Sequence, residues 1–304
     1  MVDISTSLAG IKLKNPTVLV SGILGITASS LTRVADSGAG AITTKSIGPV
    51  KRKGHKNPVI VEVSSGMLNS VGLACPSLNE SLDGLKDVLK KVDTPVIASF
   101  YGRTVREFGE MAEKISEIRP DFLEANISCP NTENEFGKPF GTDSEISAKV
   151  TEAIKNSTKI PLIVKLTPNV SDIKVIAKAV ESAGADVISA INSYGPGMVI
   201  NIETASPVLS NKFGGLSGPA IKSVAVRCVY EIYETVEVPI LGIGGIQTGR
   251  DAIEMVMAGA SAVGIGTGIM KRDIKIFSEI CEEIKEFMNS TGYSKLAELI
   301  GKAH

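Results

Sequence analysis

Residues 171–192 read "SDIKVIAKAVESAGADVISAIN", and this stretch holds one complete structural unit. Ile173, Ile176, Ala177 and Val180 recur at three- and four-residue spacing, which gathers them on one face of a helix. A glycine, Gly184, then stands where a helix ends in the left-handed conformation. The short apolar, β-branched run from 186 to 192 reads as the strand that follows. The same punctuation recurs as "SGAGAIT" from 37 and "MAGASAV" from 257, so the helix-to-strand junction is a repeated device rather than a local accident.

Working outward, eight runs carry strand character: 17–21, 41–45, 95–99, 122–126, 161–165, 186–192, 239–243 and 261–265. Amphipathic segments alternate with them, as in βα units on a parallel sheet, and eight such units close a barrel. The expected fold is therefore an α/β (β/α)8 TIM barrel in which residues 1–304 form a single domain. Two Gly/Pro-rich excursions, 46–80 and 193–225, interrupt the alternation and read as loop insertions over the C-terminal face. The segment "IFSEICEEIKEFM" reads as a final outer helix.

Composition narrows the chemistry. Lys plus Arg is 32 against Asp plus Glu 33, which argues against a nucleic-acid footprint or an anionic-membrane anchor. The four cysteines, 75, 129, 228 and 281, form no C-x-x-C pair, so neither a disulfide framework nor an iron–sulfur knot is written here and no metal site is expected. Only two histidines occur, His55 in the basic run "KRKGHK" and His304, so acid–base work falls to another residue type. The uncharged stretch Asn15–Thr32 is broken by Pro16, Gly22 and Gly25 and lacks a small-x-small cleavage site, so a cytoplasmic protein is expected.

In barrels of this type, chemistry gathers at the C-terminal ends of the strands. Those positions here are Ser21–Gly22, Lys45–Ser46, Ser99, Asn126 through Cys129, Lys165, Asn192–Ser193, Gly244–Gly245 and Gly266–Thr267. Glycines after the last two strands let backbone N–H groups approach a phosphate. Neither "GIGGIQTG" nor "GIGTG" meets the dinucleotide fingerprint. Lys45 and Lys165 each end an apolar strand, and a buried ammonium calls for a negative partner: a phosphate, a substrate carboxylate or an anionic reduced flavin. Asn69, Asn126, Asn131 and Asn192 supply paired donors and acceptors suited to the edge of a planar heterocycle such as a pyrimidine. Cys228 and Cys281, on helical faces, read as core. Cys129 follows a strand directly, beside Pro130 and between two asparagines, and is the best candidate for a general base.

Together, "TTKS" (43–46), "GMLNSVGL" (66–73), "NISCPN" (126–131), "VKLTPNV" (164–170), "GGLSGPAIK" (214–222), "GIGGIQTG" (242–249) and "GASAVGIGT" (259–267) resemble the dihydroorotate dehydrogenase family, in the family's order and over nearly the whole chain. The "GMLNSVGL" form is similar to the NAD-linked, two-subunit class 1B type. The resemblance implies oxidation of dihydroorotate to orotate in pyrimidine biosynthesis. It implies FMN in the barrel mouth, held by Ser21, Lys45, Ser46, Ser99, Asn126, Lys165, Ile191, Gly218, Gly244, Gly245, Gly266 and Thr267. Substrate contacts would come from Lys45, Asn69, Ser70, Val71, Gly72, Leu73, Asn126, Asn192 and Ser193. Cys129 would act as base, with Lys45 and Lys165 completing the catalytic set. A homodimer joined by partner subunits carrying FAD and a 2Fe-2S cluster, making a heterotetramer, is likewise implied.

Ser99 stands where that family usually has Asn, and "ACPS" (74–77) and "NSYGPG" (192–197) replace its usual segments. Three other readings stay open from the residues. They are a dihydropyrimidine dehydrogenase-like flavoenzyme sharing "SCP" and "KLTPNV", a Schiff-base aldolase using Lys165 on a phosphate-binding barrel, and a non-catalytic barrel that only binds.

Overall fold

The computed structural model describes residues 2–128 and 139–304. Eight parallel strands close into a barrel: β1 (Thr17–Leu19), β2 (Ala41–Thr43), β3 (Val96–Phe100), β4 (Phe122–Asn126), β5 (Leu162–Leu166), β6 (Val187–Ala190), β7 (Ile240–Ile243) and β8 (Ala262–Ile265). They stand in chain order around the circle, and β8 pairs with β1 through Val263 opposite Thr17 and Ile265 opposite Leu19. All eight expected strands form, but several stop short of their expected ends. The ladder yields where the chain turns over the mouth: the Lys45 N–H donates to the Gly25 carbonyl at 2.8 Å instead of to a neighbouring strand.

The outer layer consists of α1 (Ala28–Asp36), α2 (Leu78–Leu89), α3 (Val105–Ser116), α4 (Ser144–Ser157), α5 (Ile173–Ser182), α6 (Lys222–Tyr233), α7 (Gly249–Met257) and α8 (Ile276–Thr291). Six of these begin at a Ser, Thr or Asp whose side chain accepts a backbone N–H of the first turn: Thr27, Ser77, Thr104, Asp143, Asp172 and Thr248. Gly38, Gly184 and Gly259 take φ of +100°, +99° and +117°, so the repeated Gly junction does end each helix in the left-handed region. On α5 the buried residues are Ile173, Ile176, Ala177 and Val180, the stripe read from spacing. Cys228 on α6 and Cys281 on α8 are buried.

Strand alternation splits the core in two. Leu19, Ile42, Ala98, Leu123, Val164, Ile188, Ile240 and Val263 face outward into one continuous cluster with the helices. Val18, Ala41, Ile97, Phe122, Ile163, Val187, Leu241 and Ala262 fill the barrel itself. An N-terminal hairpin not anticipated from sequence, Thr6–Leu8 paired with Ile11–Leu13, adds the fully buried Leu8 and Leu13 to that interior cluster.

The two insertions are more ordered than loops. Ile60–Val63 and Gly66–Asn69 from the first, and Tyr194–Gly197 and Gly214–Ser217 from the second, form one four-stranded antiparallel sheet. Segments about 150 residues apart are thus tied together, with Asn69 opposite Gly215 and Leu68 opposite Leu216.

Candidate functional site

Above the apolar filling, the inward positions turn polar. Thr43, Ser99, Glu124, Lys165 and Ser189 follow Ala41, Ile97, Phe122, Ile163 and Val187 on the same strand faces, and each is buried. Past them, at the strand ends, the side chains join into one hydrogen-bonded girdle. Ser46 Oγ lies 3.1 Å from Ser21 Oγ and 2.9 Å from Ser99 Oγ. Asn126 Nδ2 donates to Ser46 Oγ at 3.3 Å, Ser128 Oγ donates to Asn126 Oδ1 at 3.0 Å, and Asn192 Nδ2 donates to Ser128 Oγ. Asn192 Oδ1 then accepts the Ser193 N–H at 2.8 Å. Ends of β1, β2, β3, β4 and β6 are bound into one half-ring, and Asn126 and Asn192 each keep one amide hydrogen unclaimed by it.

Lys165 rises inside this ring. It is 5% exposed and makes no hydrogen bond or ion pair with the described residues. A buried ammonium in that position is stabilised only when an anion meets it. Its cross-strand partners are Asn126 and Ser189, so the charge stands between the girdle and the polar layer below. Lys45, half-buried, stands beside Ser46.

The other half of the mouth is backbone. Among the described residues no protein acceptor takes the N–H of Gly244, Gly245, Gly266 or Thr267. Gly245 has φ +72°, and a Cβ there would come within 2.6 Å of Lys222 Cβ and 3.0 Å of the Gly218 carbonyl, so no side chain fits. Gly218, at φ +96°, lies against Gly66 of the covering sheet, and a Cβ on it would approach Thr267 Oγ1 to 3.5 Å. Three loops therefore converge with free donors, a cradle of the kind that holds phosphate.

That cradle is braced from outside. Asp251 at the start of α7 accepts the N–H of Gln247 at 3.0 Å, the N–H and hydroxyl of Thr248, and the Lys222 ammonium at 2.8 Å. Burial pushes its carboxyl up, but the Lys222 hydrogen bond and the donors from Gln247 and Thr248 outweigh burial and hold it below its usual range. Arg272 donates to the Gln247 carbonyl at 2.7 Å and pairs with Glu283 and Glu279, which raise its guanidinium further.

The expected substrate strip lies on the covering sheet. Asn69 Nδ2 donates to the Gly215 carbonyl at 3.3 Å. The following loop is clamped by His55, whose Nδ1 lies 2.9 Å from the Ser70 carbonyl and whose N–H donates to the Val71 carbonyl. Leu73 is in a small core with Cys75 and Tyr101, so its side chain packs into the cap. Ile191 is buried and its N–H donates to Ile243, which leaves its backbone near β7. Cys129 and Asn131 lie outside the described residues.

A profile of dihydroorotate dehydrogenase matches residues 3–288. The chain is 48% identical over 304 residues to the dihydroorotate dehydrogenase B (NAD(+)) catalytic subunit of Methanocaldococcus jannaschii, covering 99% of this chain and 98% of that one. It is 45% identical over 303 residues to the protein of that name from Methanothermobacter thermautotrophicus, with 99% and 98% covered. The chain belongs to the dihydroorotate dehydrogenase family. The fold is also that of DHODH from Eimeria tenella in complex with ferulenol, at a TM-score of 0.84, 21% identity and coverage of 99% and 89%.

Dihydroorotate dehydrogenases are flavin-dependent oxidoreductases acting on a CH–CH bond. The residues present fit such a group: a backbone donor cradle on one side, a hydroxyl and amide half-ring on the other, and a buried ammonium with no partner among the described residues. Ser99 joins the girdle through Ser46. Sequence reasoning included Ser128 at the strand end but gave it no role, though it couples Asn126 to Asn192, and it missed Asn169, whose Nδ2 donates to the Ser193 carbonyl at 3.4 Å and whose Oδ1 accepts the Gly195 N–H at 3.0 Å. Ser128 sits inside a quoted motif, but its two partners lie on different strands. Asn169 had a signal in "LTPNV", a turn residue directly after β5.

Proposed function

We propose that this chain is the catalytic subunit of an NAD-linked dihydroorotate dehydrogenase, oxidising dihydroorotate to orotate with FMN. The observation that carries the reading is Lys165: a buried cation with no partner among the described residues, in register with Asn126 of the half-ring and with Ser189. In this reading Gly218, Gly244, Gly245, Gly266 and Thr267 hold the phosphate. Ser21, Ser46, Ser99, Asn126, Lys45 and Ile191 line the ring system. FMN, when bound, would supply the hydride acceptor for C6 of the substrate. Lys165 faces the negative charge that arrives with it, in a site where low dielectric strengthens the attraction.

Asn69, Ser70, Val71, Gly72, Leu73, Asn126, Asn192 and Ser193 surround the pyrimidine. The girdle fixes the two amides so that their remaining N–H groups point at a planar ligand at no cost in side-chain ordering. Cys129 is the base for the C5 proton, since the two histidines do not stand at a strand end. The NAD-linked, catalytic-subunit names of the relatives support passage of electrons to a separate subunit. We assign to that partner FAD and a 2Fe-2S cluster, with a homodimer of this chain at the centre of a heterotetramer, in the cytoplasm. No helix among the described residues is long and apolar enough to cross a membrane.

The deciding experiment is the visible spectrum of the purified protein, before and after anaerobic addition of dihydroorotate. A flavin band that bleaches is expected. A band indifferent to dihydroorotate but bleached by a dihydropyrimidine lacking the carboxylate would move the substrate assignment, and a colourless protein that takes up no FMN would overturn the reading.

A further inference from the structure

Glu124 stands on β4, one inward step below Asn126, and is 1% exposed. Its neighbours in sequence, Leu123 and Ala125, face the outer helices, so the carboxylate projects into the barrel interior. One oxygen accepts from Ser189 Oγ at 3.3 Å, and the other, Oε1, has no hydrogen-bond partner among the described residues. Below it the barrel is filled by Phe122, Ile163 and Val187. A carboxylate so enclosed, with one long hydrogen bond, is destabilising unless an opposite charge shares the same low-dielectric space.

That charge is Lys165. It projects into the barrel one position above Ile163, which is the cross-strand partner of Glu124, and is itself paired in register with Ser189, the hydroxyl that holds Glu124. The two groups are not a contact ion pair; each is buried, and each lacks a direct countercharge among the described residues. In such a medium opposite charges act on one another beyond contact distance.

We propose that Glu124 is a positioning residue that acts through Lys165, offsetting its ammonium from below and so setting how strongly the site draws negative charge onto the bound flavin. This rests on the FMN reading above. The negative charge of Glu124 subtracts from the positive potential that Lys165 sets up at the ring system. Removing it favours electron-rich forms of the flavin.

The test uses the flavin-loaded protein and reads the two-electron midpoint potential together with the affinity of sulfite, whose addition to flavin also leaves negative charge. Glu124→Gln is expected to make reduction about tenfold more favourable, a rise of about 30 mV for a two-electron couple, and to tighten sulfite binding by a similar factor. Glu124→Asp, which keeps the charge, is expected to stay near wild type. In a Lys165→Met background the effect of Glu124→Gln should shrink to a small fraction. An unchanged potential in Glu124→Gln, or an equal shift in both backgrounds, would overturn the proposal. Where the Gln variant does not fold, Glu124→Met decides, since it removes the charge and leaves no unpartnered amide in the apolar interior: a rise of the same sign supports the proposal and none refutes it. A wild-type protein that binds no flavin would count against the functional reading instead.

Discussion

Lys165 and Asn126 show how single residues acquire a role from what surrounds them. Each closes a strand-like run, "PLIVK" and "FLEAN", at the edge where the chain leaves the barrel, and that position marks them. Their partners were not legible. Ser46 reaches Asn126 from 80 positions away, and Ser189 reaches Glu124 from 65 away, because parallel strands meet only through crossovers. Glu124 left a trace, an acidic residue inside a strand run, but its depth became evident only with the barrel closed. At this scale the base assignment is testable. Cys129→Ala should retain flavin yet slow its reduction by dihydroorotate about 10²–10⁴-fold at neutral pH in anaerobic stopped-flow measurements. Near-normal reduction would remove the thiol from the mechanism. Lys165→Met should likewise keep the fold, as a similar volume without charge, while reduction slows and the flavin potential falls.

Among elements, the β7–α7 junction carries the most. Thr248 caps α7 by accepting the Asp251 N–H and donates its own N–H back to the Asp251 carboxylate, so the turn that exposes the Gly244 and Gly245 N–H groups is held by its own helix. Thr248→Ala should cost about 1 kcal/mol in chemical denaturation and weaken FMN retention more than a cap loss elsewhere, such as Thr104→Ala on α3. Equal flavin affinity in the two variants would separate the cap from the cradle. The α8 helix offers a test of burial. Desolvation pushes the Cys281 thiol up to about 11 from an ordinary value near 9. The unfolded chain then loses this proton first as pH rises, so stability attributable to the group is intact below about pH 9 and declines between pH 9 and 11. The stability difference between wild type and Cys281→Ala should narrow over that window by an amount on the order of 2 kcal/mol. A constant difference would place the thiol in a wetter setting than its helix face provides. These elements were readable because caps, glycine stops and apolar stripes are local and periodic.

For the whole molecule, the barrel's bottom and top are closed by different means. Leu8 and Leu13, from the N-terminal hairpin, are fully buried in the interior cluster. Leu13→Ala should therefore destabilise by about 2–5 kcal/mol, read from urea unfolding. A loss below about 1 kcal/mol would mean the hairpin merely rests on the barrel. At the top, two insertions that look like loops pair into one sheet and bring Asn69, Gly218 and Ser193 over the mouth. The amino-acid sequence alone determined the eightfold alternation, the helix ends and the polar edge of the strands, because each depends on neighbours within a few residues. Only the tertiary structure decided that the insertions share a sheet, that serines at the ends of three strands hydrogen-bond in series, and that Glu124 lies buried beneath Lys165. Those pairings depend on chain closure, which brings distant strands to hydrogen-bonding distance and removes water from between them.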